Sequence, residues 1–182
     1  MQSKIVYVDE VMFTKHTNRK RDWSSKFNNT TVCQTGCFTG YVAVVAAISK
    51  EVGNEVVYTH NGAIDQEEYI KFLRVLRKRN GKRHLVLFAD NLSVHKTILV
   101  LEEMKKLHIT PVFNAVYSPW YNPIETAFAK VKAAYKKDKL ARLVHGKPLP
   151  MEQMIRSAFA TVTRENIANY IEHSYNILRK AS

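Results

Sequence analysis

The sequence predicts an α/β protein, with one mixed five-stranded sheet flanked by helices in the order βββαβαβα and two extra C-terminal helices. Three observations carry this. Short runs rich in Val, Ile and Ala dominate the first third of the chain, whereas from Asp65 onward such runs alternate with segments of helical periodicity. Two of the runs end in an aspartate. The length, 182 residues of which 46% are hydrophobic, has room for a single domain with a sizeable core.

Lys4-Ile5-Val6-Tyr7-Val8 reads as the first strand and delivers Asp9 at its carboxyl end. A polar, basic segment from Lys15 to Thr31, a loop or twisted hairpin around Trp23, leads to a second strand, Gly40 to Ser49. Gly53-Asn54 turns into a third, Glu55 to Thr59, so the three form a meander. Asp65 caps a helix with Glu68 three residues on, and Tyr69, Phe72, Leu73 and Leu76 share one face before Asn80-Gly81 stops it. The strand His84 to Ala89 delivers Asp90. A helix from about Lys96 to Leu107 follows, then a short strand, Ile109 to Phe113, whose Pro111 marks an edge position. In Asn122-Pro123-Ile124-Glu125 the asparagine suits an N-cap, the proline the first helical position and the glutamate the third, for a helix to about Lys137. That completes a core of about residues 4–137. After the Gly146 to Pro150 break, a helical extension over about 150–180 carries two apolar stripes. One is Met151, Met154, Ile155, Ala158, Phe159 and Val162; the other is Ile167, Tyr170, Ile171, Tyr175 and Leu178.

Twenty-eight Lys and Arg against sixteen Asp and Glu leave a net charge of +12, which implies a polyanionic partner. Nucleic acid is favoured over a membrane, because no helix joins a basic face to a bulky apolar one and no apolar run is long enough to span a bilayer. With Cys33 and Cys37 alone there is no disulfide framework, so a reducing compartment is expected. Cys33 and Cys37 with His16 or His60 would make a poor zinc site, lacking the paired short spacings such sites use.

Asp9, Asp90 and Glu125 are the candidate catalytic and metal-ligating residues. Carboxylates brought together repel, so either one keeps a proton or a divalent cation neutralises them. Phosphodiester chemistry needs an activated nucleophile and a stabilised leaving 3′ oxygen, and two Mg²⁺ ions, with Mn²⁺ as substitute, supply both. Mg²⁺ takes oxygen ligands, and the helix N-terminus at Glu125 favours the ionised carboxylate.

Tyr7-Val8-Asp9-Glu10, Phe88-Ala89-Asp90-Asn91-Leu92-Ser93-Val94-His95-Lys96 and Tyr117-Ser118-Pro119-Trp120-Tyr121-Asn122-Pro123-Ile124-Glu125 resemble the three catalytic blocks of mariner-superfamily DDE transposases, and thirty-four residues separate Asp90 from Glu125. The resemblance covers Lys4 to about Lys137. It implies an RNase H-like fold and cut-and-paste DNA transposition, with metal-dependent cleavage at transposon ends and strand transfer to target DNA, typically at a TA dinucleotide. It assigns Asp9, Asp90 and Glu125 as metal ligands. Trp120-Tyr121 departs from the family, which usually has an acid and a small or aliphatic residue there, and Phe128 stands where a Trp is common. Family members also carry an N-terminal helix-turn-helix region that reads the transposon ends. This chain begins at the first catalytic strand and so resembles an isolated catalytic domain.

Around the acids, Asn91 and His95 either orient an aspartate or contact a phosphate, or are simply a turn asparagine and a helix-start histidine; Asn122 caps the Glu125 helix. Lys130, Lys132, Lys136 and Lys137 are candidate DNA contacts on that helix, as are Arg19, Lys20, Arg21 and Trp23 in the insertion after the first strand, a region that forms a clamp between subunits in the resembling family. Arg74, Arg77, Lys78, Arg79, Lys82 and Arg83 either bind DNA or solubilise a helix end. The expected partners are double-stranded DNA, as transposon ends and target, and a second copy in an active homodimer. The expected compartment is the nucleus in a eukaryote, otherwise the cytoplasm or nucleoid. Two other readings stand beside this one: an RNase H-type nuclease, which the Asn-Pro-x-Glu block argues against, and a domesticated DNA-binding remnant without catalysis, which the three intact acids argue against.

Overall fold

The computed structural model describes residues 3–14, 40–115, 118–147 and 149–181. Arg19, Lys20, Arg21, Trp23, Cys33 and Cys37 lie outside them. The elements are β1 (Lys4–Thr14), β2 (Tyr41–Ser49), β3 (Gly53–Asn61), α1 (Gln66–Asn80), β4 (Leu85–Ala89), α2 (Ile98–Lys106), β5 (Ile109–Phe113), α3 (Ile124–Val144), α4 (Met151–Ala160) and α5 (Arg164–Ala181). The expected order of strands and helices is therefore present. The sheet runs β3-β2-β1-β4-β5. β1 pairs antiparallel with β2, and β2 with β3, whereas β1–β4 and β4–β5 are parallel. This is the RNase H-like arrangement. Pro111 sits on β5, an edge strand, where its missing N–H costs no ladder bond.

Alternation along β1 sorts the two cores. Val6 and Val8 face one side, where Tyr69, Phe72, Leu73 and Leu76 of α1 pack with Leu85, Leu87, Val100 and Met104. Tyr7, Val11 and Phe13 face the other side, against Ile124, Phe128, Val131 and Tyr135 of α3, Ile155 and Phe159 of α4, and Ile167 and Ile171 of α5. The C-terminal helices thus build one of the two cores. Each fully buried aliphatic or aromatic side chain contributes roughly 1.5–3 kcal/mol. Phe128 is buried, edge-on to Phe159 with centroids 6.2 Å apart.

Asp65 caps α1 as expected, accepting from the Glu68 amide at 2.9 Å, and Gly81, at φ 59°, ends it in the left-handed region. Gly53 (φ +88°) lets α5 approach, since a Cβ there would lie 3.1 Å from Arg164 Cα. Four expectations need correction. β1 continues five residues past Asp9, because the antiparallel ladder with β2 extends to Thr14. The second predicted helix begins as a separate 3-10 turn, Ser93–Lys96, since the Thr97 side chain caps a new start at Ile98. α3 reaches Val144, beyond Lys137, with an Arg142–Asp138 pair at 2.8 Å across its last turns. Tyr175 and Leu178 are exposed, so the α5 stripe leaves the core toward its end. Among the described residues no helix is long and apolar enough to cross a membrane.

Candidate active site

The parallel register between β1 and β4 runs from Lys4↔Leu85 to Tyr7↔Phe88 and then stops. Just beyond that point β1 carries Asp9, opposite Ala46 of β2, and β4 ends into Asp90. The two aspartates therefore flank the place where adjacent parallel strands part, which is where open α/β sheets bind ligands. Asp9 is not at a strand end, as its sequence context suggested, but within a strand that loses one neighbour there. Its side chain follows Tyr7 and Val11 toward the α3 face.

Glu125 is the second residue of α3 and is exposed. Asn122 departs from its expected role. It is 2% exposed, and its side-chain Nδ2 donates to Val8 O at 3.3 Å, while its Oδ1 stands 3.5 Å from the Ile124 amide, a long cap. The helix consequently starts after Pro123, with no side-chain cap. The asparagine is drawn instead to the strand beside Asp9, which fixes the start of the Glu125 helix against β1.

The electrostatics tie the acids together. Burial raises the Asp9 carboxyl to about 7, and the nearby Glu125 and Asp90 carboxylates add to the rise against a 2.7 Å bond from the Glu10 amide. For Asp90 burial also pushes upward, but His95, the Leu92 amide at 3.3 Å and Lys96 outweigh it and hold the carboxyl below its ordinary value. Asp9 thus feels the charge of both other acids. Among the described residues, however, no three His, Cys, Asp or Glu side chains are placed close enough to hold a metal ion together.

His95 is fully buried between two carboxylates. Its Nδ1 lies 3.0 Å from Asp90 Oδ1, an ion-pair contact off hydrogen-bond alignment, and its Nε2 lies 3.2 Å from Glu10 Oε1. Burial alone would lower the imidazole, but these two partners raise it to about 9. Its ring lies on Tyr69, centroids 4.4 Å apart. Thus His95 does orient an aspartate by contact, and the residue missed in the sequence is its second partner, Glu10. Alternation was the available signal, because it points Glu10 to the α1 face while Asp9 points to the other. Asn91 bonds away from Asp90. Its amide donates to Asn114 O and its Oδ1 accepts from Lys96, so it ties the Asp90 loop to the end of β5.

On α3, Lys132 and Lys136 follow Glu125 by about two and three turns and are exposed, forming one row with it. Lys137 is exposed but off that row. Lys130 is turned inward and donates to Asn166 Oδ1 at 2.5 Å, at the N-terminus of α5, so it acts as a tether between helices and leaves the row of candidate DNA contacts. Of the α1 cluster, Arg74 pairs with Glu103 at 2.7 Å, Arg77 donates to the carbonyls of Gly81, Arg83 and His108, and Arg83 pairs with Glu51 at 2.6 Å. These arginines brace the fold.

Comparison with solved structures returns the same architecture. The Mos1 mariner paired-end complex with Mn matches over 93% of this chain and 52% of that chain, with TM-score 0.66 and 16% identity. The Mos1 catalytic domain with Raltegravir and Mn matches over 94% and 80%, with TM-score 0.56 and 13% identity. The simian T-cell lymphotropic virus intasome in complex with PP2A regulatory subunit B56 gamma matches over 87% and 48%, with TM-score 0.61 and 15% identity. The chain spans about half the length of the Mos1 chain in its paired-end complex. At these identities the likeness speaks for the fold. No curated protein sequence matches the chain. The family described as DDE superfamily endonuclease matches residues 4–144, which contain Asp9, Asp90 and Glu125. With that match over most of its length and this sheet order beneath it, the chain belongs to the DDE superfamily of endonucleases.

Proposed function

We propose that this chain is the catalytic domain of a mariner-type cut-and-paste transposase, which cleaves DNA at transposon ends and joins the freed 3′-hydroxyl to target DNA. The observation that carries it is the placement of Asp9 and Asp90 where β1 and β4 part, with Glu125 opening the helix α3 that packs on the Asp9 face. The Mos1 structures of the same fold include a strand transfer complex and catalytic domains with Mn and with Mg. The active form would be a homodimer on double-stranded DNA, acting in the nucleus of a eukaryote. The test is joining of a labelled duplex with a free 3′-hydroxyl to a plasmid, with Mg²⁺ or Mn²⁺ supplied or chelated.

The residue types suit a divalent cation. The donor set is all hard oxygen, and the Asp9 carboxyl, raised chiefly by burial and further by Glu125 and Asp90, has an ionised form that a cation would favour. Asp9, Asp90 and Glu125 would hold it; two such ions supply an activated attacking oxygen and a stabilised leaving oxygen. His95 fixes the Asp90 carboxylate, and Asn122 fixes the Glu125 helix to the Asp9 strand.

Asp9 gives this site a pH signature. A carboxyl raised from 3.8 to about 7 favours the fold when protonated, and that contribution is lost as pH climbs through about 7, a cost of at most about 4 kcal/mol. Cation binding needs the ionised form. Mg²⁺ is therefore expected to raise the melting temperature more at pH 8 than at pH 6, and Asp9→Asn should remove the pH dependence. Melting curves indifferent to Mg²⁺ at pH 8 would count against the metal site.

If Lys132 and Lys136 track phosphates alongside Glu125, binding to duplex DNA weakens steeply with salt. Charge reversal at both should reduce the log–log salt slope by about two units, and reversal at Lys137 by less. Titrations at a series of salt concentrations measure it, and an unchanged slope in the double variant would make the row a solvated face.

A further inference from the structure

Trp120 is 54% exposed, on the 3-10 turn Pro119–Tyr121 immediately before the Glu125 helix. A tryptophan left in water on a mobile loop would signify little, but this turn is fastened on both sides. Asn114 Nδ2 donates to Ser118 O at 2.7 Å, and Asn114 O in turn accepts from Asn91, the neighbour of Asp90. On the other side the Asn122 amide bonds Pro119 O at 2.9 Å, and the Asn122 side chain reaches Val8 O beside Asp9. The indole is thus presented on a turn hydrogen-bonded toward the neighbours of both aspartates. Tyr121 backs it edge-on, with centroids 5.8 Å apart at 72°. At the same end of the sheet, Lys96 lies over the Phe113 ring at 4.8 Å.

An aromatic face in this setting suits a flat, anionically tethered ligand. A single indole offers a face on which one nucleobase can stack. Bases inside a duplex are already stacked and cannot use it. Nucleotides beside a nick or a frayed end can, and stacking on an exposed aromatic is tolerant of sequence. We propose that Trp120, backed by Tyr121, is a stacking platform for an unpaired nucleobase flanking the phosphate at the active site. This rests on the proposed action on DNA and adds to it a preference for opened over fully paired ends.

The experiment uses the unsubstituted chain, whose two indoles are Trp23 and Trp120, with a blunt duplex and a duplex bearing a few unpaired nucleotides at one end; the Trp120 signal is the part of the fluorescence that Trp120→Ala removes. The opened duplex should quench Trp120 and bind more tightly than the blunt one. Trp120→Ala should reduce that preference by about five- to a hundredfold, and Trp120→Phe should keep most of it. Binding to the blunt duplex, with its salt dependence, should be the same in all three. An unchanged preference in Trp120→Ala, or an indole left unquenched by the opened end, overturns the platform while leaving the action on DNA intact. A change in self-association in Trp120→Ala with the preference unaltered overturns it in favour of a contact between copies. Failure of the unsubstituted chain to bind either duplex overturns the action on DNA itself, and the platform with it.

Discussion

Asp90→Asn is expected to lower DNA cleavage and strand joining by several orders of magnitude, leaving the circular dichroism of the folded chain in place. The amide is nearly isosteric and can still accept from the Leu92 amide, as Asp90 does at 3.3 Å. What it loses is the negative charge, without which a divalent cation is under-coordinated and the reacting oxygens lose their alignment. The loss should appear in the rate of the chemical step, measured by single turnover with Mg²⁺ or Mn²⁺, and far less in the affinity for duplex. Cleavage undiminished in a folded Asp90→Asn chain would place the activity elsewhere than the three acids. Ca²⁺ should bind without supporting turnover, because its looser coordination misplaces those oxygens.

His95→Ala should destabilise the chain by about 3–5 kcal/mol near neutral pH, since it leaves two partly buried carboxylates facing a vacated space. The imidazole is raised from 6.5 to about 9 by Asp90 and Glu10, against the opposing effect of burial. A raised histidine contributes stability that is fully present below about 6.5 and lost as pH rises through about 9. The gap between the unsubstituted and His95→Ala chains in urea unfolding should therefore narrow between pH 7 and pH 10. A gap of constant size across that range would reduce His95 to a packing residue on Tyr69.

The succession of strands and helices was legible because it rests on local signals. β-branched runs, the Asp65–Glu68 cap and the Gly81 stop are decided within a few residues. What was not legible depends on residues far apart in the chain. Asn122 looks like a helix cap until Val8, 114 residues away, offers it a carbonyl. Lys130 looks like its neighbours Lys132 and Lys136 until Asn166 of α5 captures its ammonium. The His95–Glu10 contact spans 85 residues; alternation along β1 gives the face Glu10 points to, but not the histidine it meets there. Asp9 was placed at a strand end because the run of apolar residues breaks there, yet the β2 ladder carries β1 on to Thr14. Helix length failed for a similar reason: α3 outlasts its apolar stripe, ending with Leu140, Leu143 and Val144 exposed.

The parallel joint between β1 and β4 also sets an order of assembly. The hairpin of β2 and β3 is local and can zip early, whereas pairing Lys4–Tyr7 with Leu85–Phe88 requires closing a long loop, and Glu125 arrives later still in the chain. The basic residues, by contrast, carry their charge in any conformation. On the proposed function, a chain that has not yet completed the β1–β4 pairing and α3 carries its positive charge but not its three acids in place, so the active site is complete only when both are formed.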